Sequence, residues 1–231
     1  MKLMHPLFSS PICFAENRIQ VLTIENPRMF RELVFELKAQ AEGQEGRFVL
    51  SQKDHLLDCG ISLHVILDYA QLDHVEKRIQ NKLLAALLAE AREELAEETM
   101  LFARGVQQYL GKLAALADYP VAYEQSENLM EILKAMNFCV DLSGLHPHEA
   151  LYEHLSLCNR VMKHPCFVLV HAKAFFSEEE LKGIYDMAQY RKWNLLLLES
   201  YQHETRMGQE DHRLFDADLC ELALENTDTC V

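Results

Sequence analysis

Residues 166 to 200 read as strand, turn, helix, strand, and this unit constrains the fold of the 231-residue chain more than any other stretch. Cys166-Phe-Val-Leu-Val170 and the segment from Asn194 to Ser200, with its run Leu195 to Leu198, are short apolar stretches of strand length. Between them Ser177 and Glu180 form a capping box that starts a helix. A similar alternation occupies the first fifty residues. Arg18 to Ile24 reads as a strand, and Asn26 then caps a helix with Pro27 at its first position and Phe30, Leu33, Val34, Leu37 and Ala41 on one face. Glu42 to Gly46 ends that helix, Arg47 to Ser51 reads as a further strand, and Ser62 to Leu67 is a buried strand or short helix. The fold class is α/β.

Such a skeleton supports many nucleotide-handling enzymes, and a phosphate site on it needs a glycine-rich turn, because backbone N–H groups cradle oxygens only where no Cβ intervenes. Neither strand end supplies one. Val170 runs into His171-Ala-Lys-Ala-Phe-Phe, and the helix beyond opens on Glu178, Glu179 and Glu180, which repel phosphate. Ile24 runs into Glu25-Asn26-Pro27. No G-x-x-x-x-G-K-[ST] and no G-x-G-x-x-G occurs in the chain.

From Asp73 the pattern becomes helical. Asp73 to Glu76 is a capping box, no proline follows until Pro120, and apolar residues recur at helical spacing from position 75 to 116. One helix over 73 to 117 would span about 65 Å at 1.5 Å per residue. It must therefore project, pack on a partner chain, or fold back near Arg104-Gly105. Further helices are expected at about 126 to 137 and from Pro147 to Lys163, while Tyr201 to Asp218 reads as polar loop. The organisation read here is an α/β head made of residues 1–70 plus 164–231, with residues 71–163 as an α-helical insertion.

The N-terminal apolar stretch is short and broken by Pro6 and Pro11, no run of about 18 apolar residues exists, and seven scattered cysteines without a CxxC suit reduced thiols; the expected location is cytoplasmic. A net charge of −14 argues against nucleic acid as a partner when taken alone. Its distribution tempers this. Residues 1–60 hold seven basic and eight acidic residues, against nine and seventeen in residues 131–231.

Eleven histidines invite a metal-hydrolase reading, with His55 near Cys59 and His146 near His148, but no HExxH, HxHxD or zinc-spaced Cys/His ladder accompanies them. Pairing of Cys158 with His171 as nucleophile and base is better explained by chance among seven cysteines. Glu199 stands where an NTPase places a metal-binding acid, without nucleotide phosphates to serve. Asp118, Glu124 and Glu127 cluster after the long helix, where they are either a solvated loop or oxygen ligands for a hard cation such as Ca²⁺.

Four stretches in order, Ile24 to Phe30, Gly43 to Ser51, Lys82-Leu-Leu84 and the closing HAKAFFSEEEL…NLLLLES unit, resemble the accessory adaptation protein of type II-A CRISPR systems. The resemblance implies a P-loop-ATPase-like head that lacks nucleotide motifs, with an inserted extended α-helical domain. It also implies a non-catalytic homotetrameric ring with double-stranded DNA ends in a channel lined by Lys and Arg, and Ca²⁺ held by carboxylates of the helical domain. It implies a role in spacer acquisition beside the CRISPR integrase complex and the RNA-guided effector nuclease. Under it, Asp118, Glu124 and Glu127 are the candidate calcium ligands, and Arg28, Arg31, Lys38 and Lys53, from the least acidic part, are the candidate DNA contacts. Collecting sparse cations from four chains lets a channel be positive on an acidic protein. The alternatives are a divergent metal-dependent nuclease or hydrolase, and a scaffold that binds only protein.

Overall fold

The apolar runs read from the sequence become the inner strands of a six-stranded sheet. The computed structural model describes residues 1–53, 55–72, 75–123, 129–163 and 165–223. The chain divides into two compact units, Met1–Asp73 with Leu142–Val231, and His74–Asp141.

The first unit is mixed α/β. Its strands are β1 (Lys2–Met4), β2 (Ile12–Cys13), β3 (Ile19–Ile24), β4 (Val49–Gln52), β5 (His55–Leu57), β6 (Leu63–Ile66), β7 (Cys166–Val170), β8 (Asn194–Glu199), β9 (Glu210–Phe215) and β10 (Glu221–Ala223). Its helices are α1 (Pro27–Ala41), α2 (Cys59–Ser62), α6 (Pro147–Val161), α7 (Ala172–Phe175) and α8 (Glu178–Tyr190), and those of the second unit are α3 (Lys77–Glu94), α4 (Ala96–Leu116) and α5 (Leu129–Ala135). A small antiparallel sheet has the order β2-β1-β4-β5, and the large sheet has the order β10-β9-β3-β8-β7-β6. All its neighbours pair in parallel except β9 with β10.

Alternation along the parallel strands divides the core in two. Leu22, Ile24, Val168, Val170, Leu196 and Leu198 meet Leu33, Val34 and Leu37 of α1, together with Leu3, Ile12 and Leu50 of the small sheet, in one buried cluster. The alternate residues Val21, Phe167, Leu169, Leu195 and Leu197 are equally buried. On their face Trp193 meets the Phe167 ring edge-on with centroids 5.6 Å apart. Glu199 follows Leu195 and Leu197 in that alternation, so a carboxylate is directed into the core.

The caps form as read. Asn26 accepts the amide of Met29 at 3.1 Å with Pro27 inside the helix start, and both bonds of the Ser177/Glu180 box are present. Ser62 to Leu67 resolves into the end of α2 and strand β6.

Three expectations are corrected. The stretch from Tyr201 to Asp218 is not all loop: β9 pairs along the whole of β3. Its sequence, Glu-Asp-His-Arg-Leu-Phe, hides it, because the residue it buries at its start, Glu210, is polar and paired with other polar groups. The helical stripe does not break at Arg104-Gly105, which lie inside α4; it breaks at Leu95, whose φ of −121° and ψ of 36° leave the helical region. Helix α6, placed by the sequence reading with the insertion, belongs to the first unit, because Leu151, Leu155 and Cys158 on its inner face are fully buried and it packs against α8. The division therefore falls between 141 and 142 in place of 163. The box expected at Asp73 to Glu76 has its first residue outside the described residues, and α3 starts at Lys77 with no side-chain cap bond from Glu76.

Within the second unit, α3 and α4 are about 27 and 32 Å long at 1.5 Å per residue. Among their described residues Ile79, Leu84 and Ala103 are buried, and α5 buries none. Phe102, Tyr109, Leu113 and Leu116, at helical positions i, i+7, i+11 and i+14, are exposed along one side of α4. No helix among the described residues is long and apolar enough to cross a membrane.

Candidate functional site

In open α/β sheets ligands bind beyond the carboxyl ends of the strands, where strand order reverses. Here β3 lies between β8 and β9 while β6, the next strand of the same sheet along the chain, is at the far edge, so the reversal is beside β3. Thr23 pairs with Glu199 there, and Val170 with Leu198. The turn after β3 carries Asn26, which spends its oxygen on Met29 and donates its Nδ2 to the carbonyl of Ala217 at 2.9 Å. The Phe30 and His171 rings meet at a tilt of 40° with centroids 4.8 Å apart. A glycine-free turn and an aromatic pair occupy the place of a phosphate cradle.

The acid at the end of β8 is turned inward. Glu199 is fully buried and accepts the backbone amide of Lys173 at 3.0 Å, an orphan donor at the start of α7. Its other oxygen is 3.4 Å from Nε2 of His203 and 3.8 Å from Nδ1 of His171, a residue in the left-handed region at φ 57°. Burial pushes the Glu199 carboxyl up to about 7, against the opposing pull of the Lys173 amide and ammonium. Burial lowers both His171 and His203, with the Lys173 charge adding to the effect at His203.

Glu210 forms the second half of the cluster. It too is fully buried, and it accepts from Lys173 Nζ at 2.7 Å, from the Tyr185 hydroxyl at 2.7 Å, from the Met207 amide at 3.1 Å and from His212 Nε2 at 2.8 Å. Burial alone would raise its carboxyl, but the bonds from His212, Lys173 and Tyr185 override that and hold it down at about 2. Four donors leave little lone-pair capacity for a metal ion or a reacting group. Two buried carboxylates on one face of the sheet, linked through Lys173, thus have opposite protonation behaviour, and both are engaged by the protein itself.

This geometry has a pH signature. A folded Glu199 that holds its proton to about pH 7, against an ordinary 4.5, binds more protons than the unfolded chain between those values. Its contribution therefore makes stability fall as pH rises from about 4.5 to about 7, by about 3 kcal/mol in all. Glu210 has the opposite sign: its contribution is present above 4.5 and is lost as pH falls toward 2. E199Q keeps an acceptor for the Lys173 amide without the charge. Its melting temperature should match wild type near pH 5 and exceed it at pH 8; parallel curves across that range would contradict the assignment.

The predicted site residues fall elsewhere. Arg28, Arg31 and Lys38 are exposed at i, i+3 and i+10 of α1, which with exposed Phe35 at i+7 makes one stripe on its outer side. Arg28 is paired with Glu32 at 3.0 Å. Lys53 lies in the β4–β5 turn with φ 47°. Asp118 is exposed just beyond α4, and Glu124 and Glu127 lie outside the described residues. Cys158 is buried on α6, near histidines other than His171, which faces Glu199. Sequence reasoning found Glu199 from its place after four leucines. It missed Lys173, Tyr185, Glu210 and His212, which come from two helices and a polar strand and share no spacing.

A family model described as CRISPR-associated protein (Cas_Csn2) matches residues 40–219, which is 180 of the 231 residues. No curated protein matches the chain.

Proposed function

The chain belongs to the CRISPR-associated Cas_Csn2 family, and on that premise we propose that this adaptation-associated protein acts without catalysis, as a homotetrameric ring that holds double-stranded DNA ends during spacer acquisition. The observation that carries the assembly is the second unit: α3, α4 and α5 bury three residues of their own and expose Phe102, Tyr109, Leu113 and Leu116 in one row. An exposed apolar row of that length is the mark of a protein interface, and a second copy of the chain is the proposed occupant. Support for a head derived from the P-loop ATPases comes from the strand order around β3 and from Glu199 at the end of β8. Support for lost catalysis comes from the use of Glu199 as a helix cap and the saturation of Glu210.

A metal-dependent nuclease is the second reading, drawn from the two buried carboxylates, Glu199 and Glu210, that Lys173 links through its amide and its ammonium. It requires turnover of duplex DNA with Mg²⁺ or Mn²⁺ that E210Q abolishes. The proposed calcium ligands remain Asp118, Glu124 and Glu127, of which Asp118 is exposed and accessible to an ion. The proposed partners are the CRISPR integrase complex and the RNA-guided effector nuclease.

DNA is held through phosphates, so affinity falls steeply with salt. The α1 stripe of Arg28, Arg31 and Lys38, together with Lys53, is the proposed contact surface. Replacing all four with Ala should weaken binding at least about tenfold and flatten the salt dependence by about one in slope for each phosphate contact removed. Unchanged affinity and slope would remove these four from the channel.

A further inference from the structure

We propose that His64, His154 and Cys158 form a buried metal site in the first unit that takes Zn²⁺ and ties strand β6 to helix α6. The ligand atoms of the three residues all lie within 4.8 Å of one another, and each residue is buried. Among the described residues, this is where potential metal ligands, two histidines and a cysteine, gather in a manner suited to an ion.

The arrangement follows from local geometry. His154 and Cys158 are four positions apart on α6 and so share one face of the helix. His64 pairs with Phe167 across β6 and β7 and therefore stands on the side of the sheet where Phe167 packs against Trp193. The Phe167 ring meets His64 edge-on with centroids 6.4 Å apart. The two imidazoles direct their Nε2 atoms at each other, 3.0 Å apart. Such an approach needs a shared proton or a shared cation between the nitrogens. Zn–N bonds of about 2.0–2.1 Å and a Zn–S bond of about 2.3 Å place tetrahedral ligands about 3.3 to 3.6 Å apart, so the N···N pair opens slightly and the sulfur, within 4.8 Å of both nitrogens, closes by no more than about 1.5 Å.

The donor set selects the ion. Two imidazoles and a thiolate suit Zn²⁺ and disfavour the hard cations Ca²⁺ and Mg²⁺, which require oxygen. Three protein ligands leave one tetrahedral position, which a single enclosed water completes. Leu151 and Leu155, fully buried on the same helix as two of the ligands, keep the surroundings dry. In the chain, His64 precedes and His154 follows the second unit, so the ion cross-links, within the first unit, the two segments that flank it. Because all three ligands are buried, no substrate reaches the open position and the role is structural: binding to a site absent from the unfolded chain is folding free energy.

The full-length chain, purified from zinc-supplemented medium and desalted without chelator, should carry about one zinc per chain by elemental analysis. Stripped and titrated with Co²⁺, it should show intense tetrahedral d–d bands and a thiolate-to-cobalt charge-transfer band. Cys158→Ala should lose the charge-transfer band and weaken Co²⁺ by more than the ~10–100-fold that loss of an outer-shell partner causes. Cys139→Ala, at an exposed cysteine, should leave both intact. A natively folded wild-type chain that carries no zinc and gives no charge-transfer band would overturn the proposal, as would a band that survives Cys158→Ala. Should Cys158→Ala fail to fold, the wild-type Co²⁺ titration decides alone.

Discussion

Lys173→Met is expected to cost the first unit about 3–5 kcal/mol of unfolding free energy, because it leaves the buried Glu210 carboxylate without its cation. Lys173 Nζ is 2.7 Å from that carboxylate, and the side chains are 5% and 0% exposed, so solvent cannot take over the screening. Tyr185, His212 and the Met207 amide still donate, which keeps Glu210 hydrogen-bonded but not neutralised. Glu210→Gln should be costly for the mirror reason, stranding the ammonium. The double variant should cost less than the sum of the two, since neither charge then remains. Chemical unfolding of the four proteins measures the coupling. Additive single effects below about 1 kcal/mol would mean that the pair is screened as at a surface, and that the cluster does not organise the β8–β9 side of the sheet.

The second large effect is on assembly. Phe102→Glu combined with Leu113→Glu replaces two side chains that are 48% and 44% exposed in the single chain. Such positions contribute little to the fold of one chain, and its melting temperature should move little. In a tetramer built through α4 each loses about 1.5–3 kcal/mol of burial and gains a carboxylate to desolvate. The association constant should fall by at least about 100-fold per contact, and light scattering with calcium present should show the tetramer mass collapse toward that of one chain. DNA retention should fall with it, because one chain carries a net charge of −14 and gathers too few cations alone. An unchanged mass would show that α4 faces solvent and that any assembly uses another surface.

Much of the fold was legible because local signals and tertiary demands agreed. Helix α1 follows its cap, proline and apolar stripe from Pro27 to Ala41, and β7 and β8 follow uninterrupted apolar runs. What escaped was set by contacts distant in sequence. Strands β1 and β2 are three and two residues long, too short to carry a period, and exist because they pair with each other and β1 pairs with β4. Strand β9 buries Glu210 because Lys173 neutralises it and Tyr185 and His212 hydrogen-bond it, and hydrophobic periodicity cannot register a polar residue that is buried with partners. The break at Leu95 in a continuous apolar pattern carries no glycine or proline signal. The same limit hid the candidate sites. Glu199 was visible at the end of a strand, whereas its relation to Lys173 and Glu210, 26 and 11 positions away, depends on the chain between them folding first. His64 and His154 are 90 residues apart and meet only across β6 and α6.

The central claim is that a scaffold of nucleotide-binding type has become a ring that holds DNA ends. Electrophoretic mobility shift on linear and covalently closed circular duplexes of the same sequence, with Ca²⁺ or with a chelator, tests it most directly. The account predicts a shift with the linear duplex alone, lost when calcium is chelated. Equal binding to the closed circle would contradict a threaded ring and point to an open surface groove, and no binding to either at low salt would leave only a protein-binding scaffold.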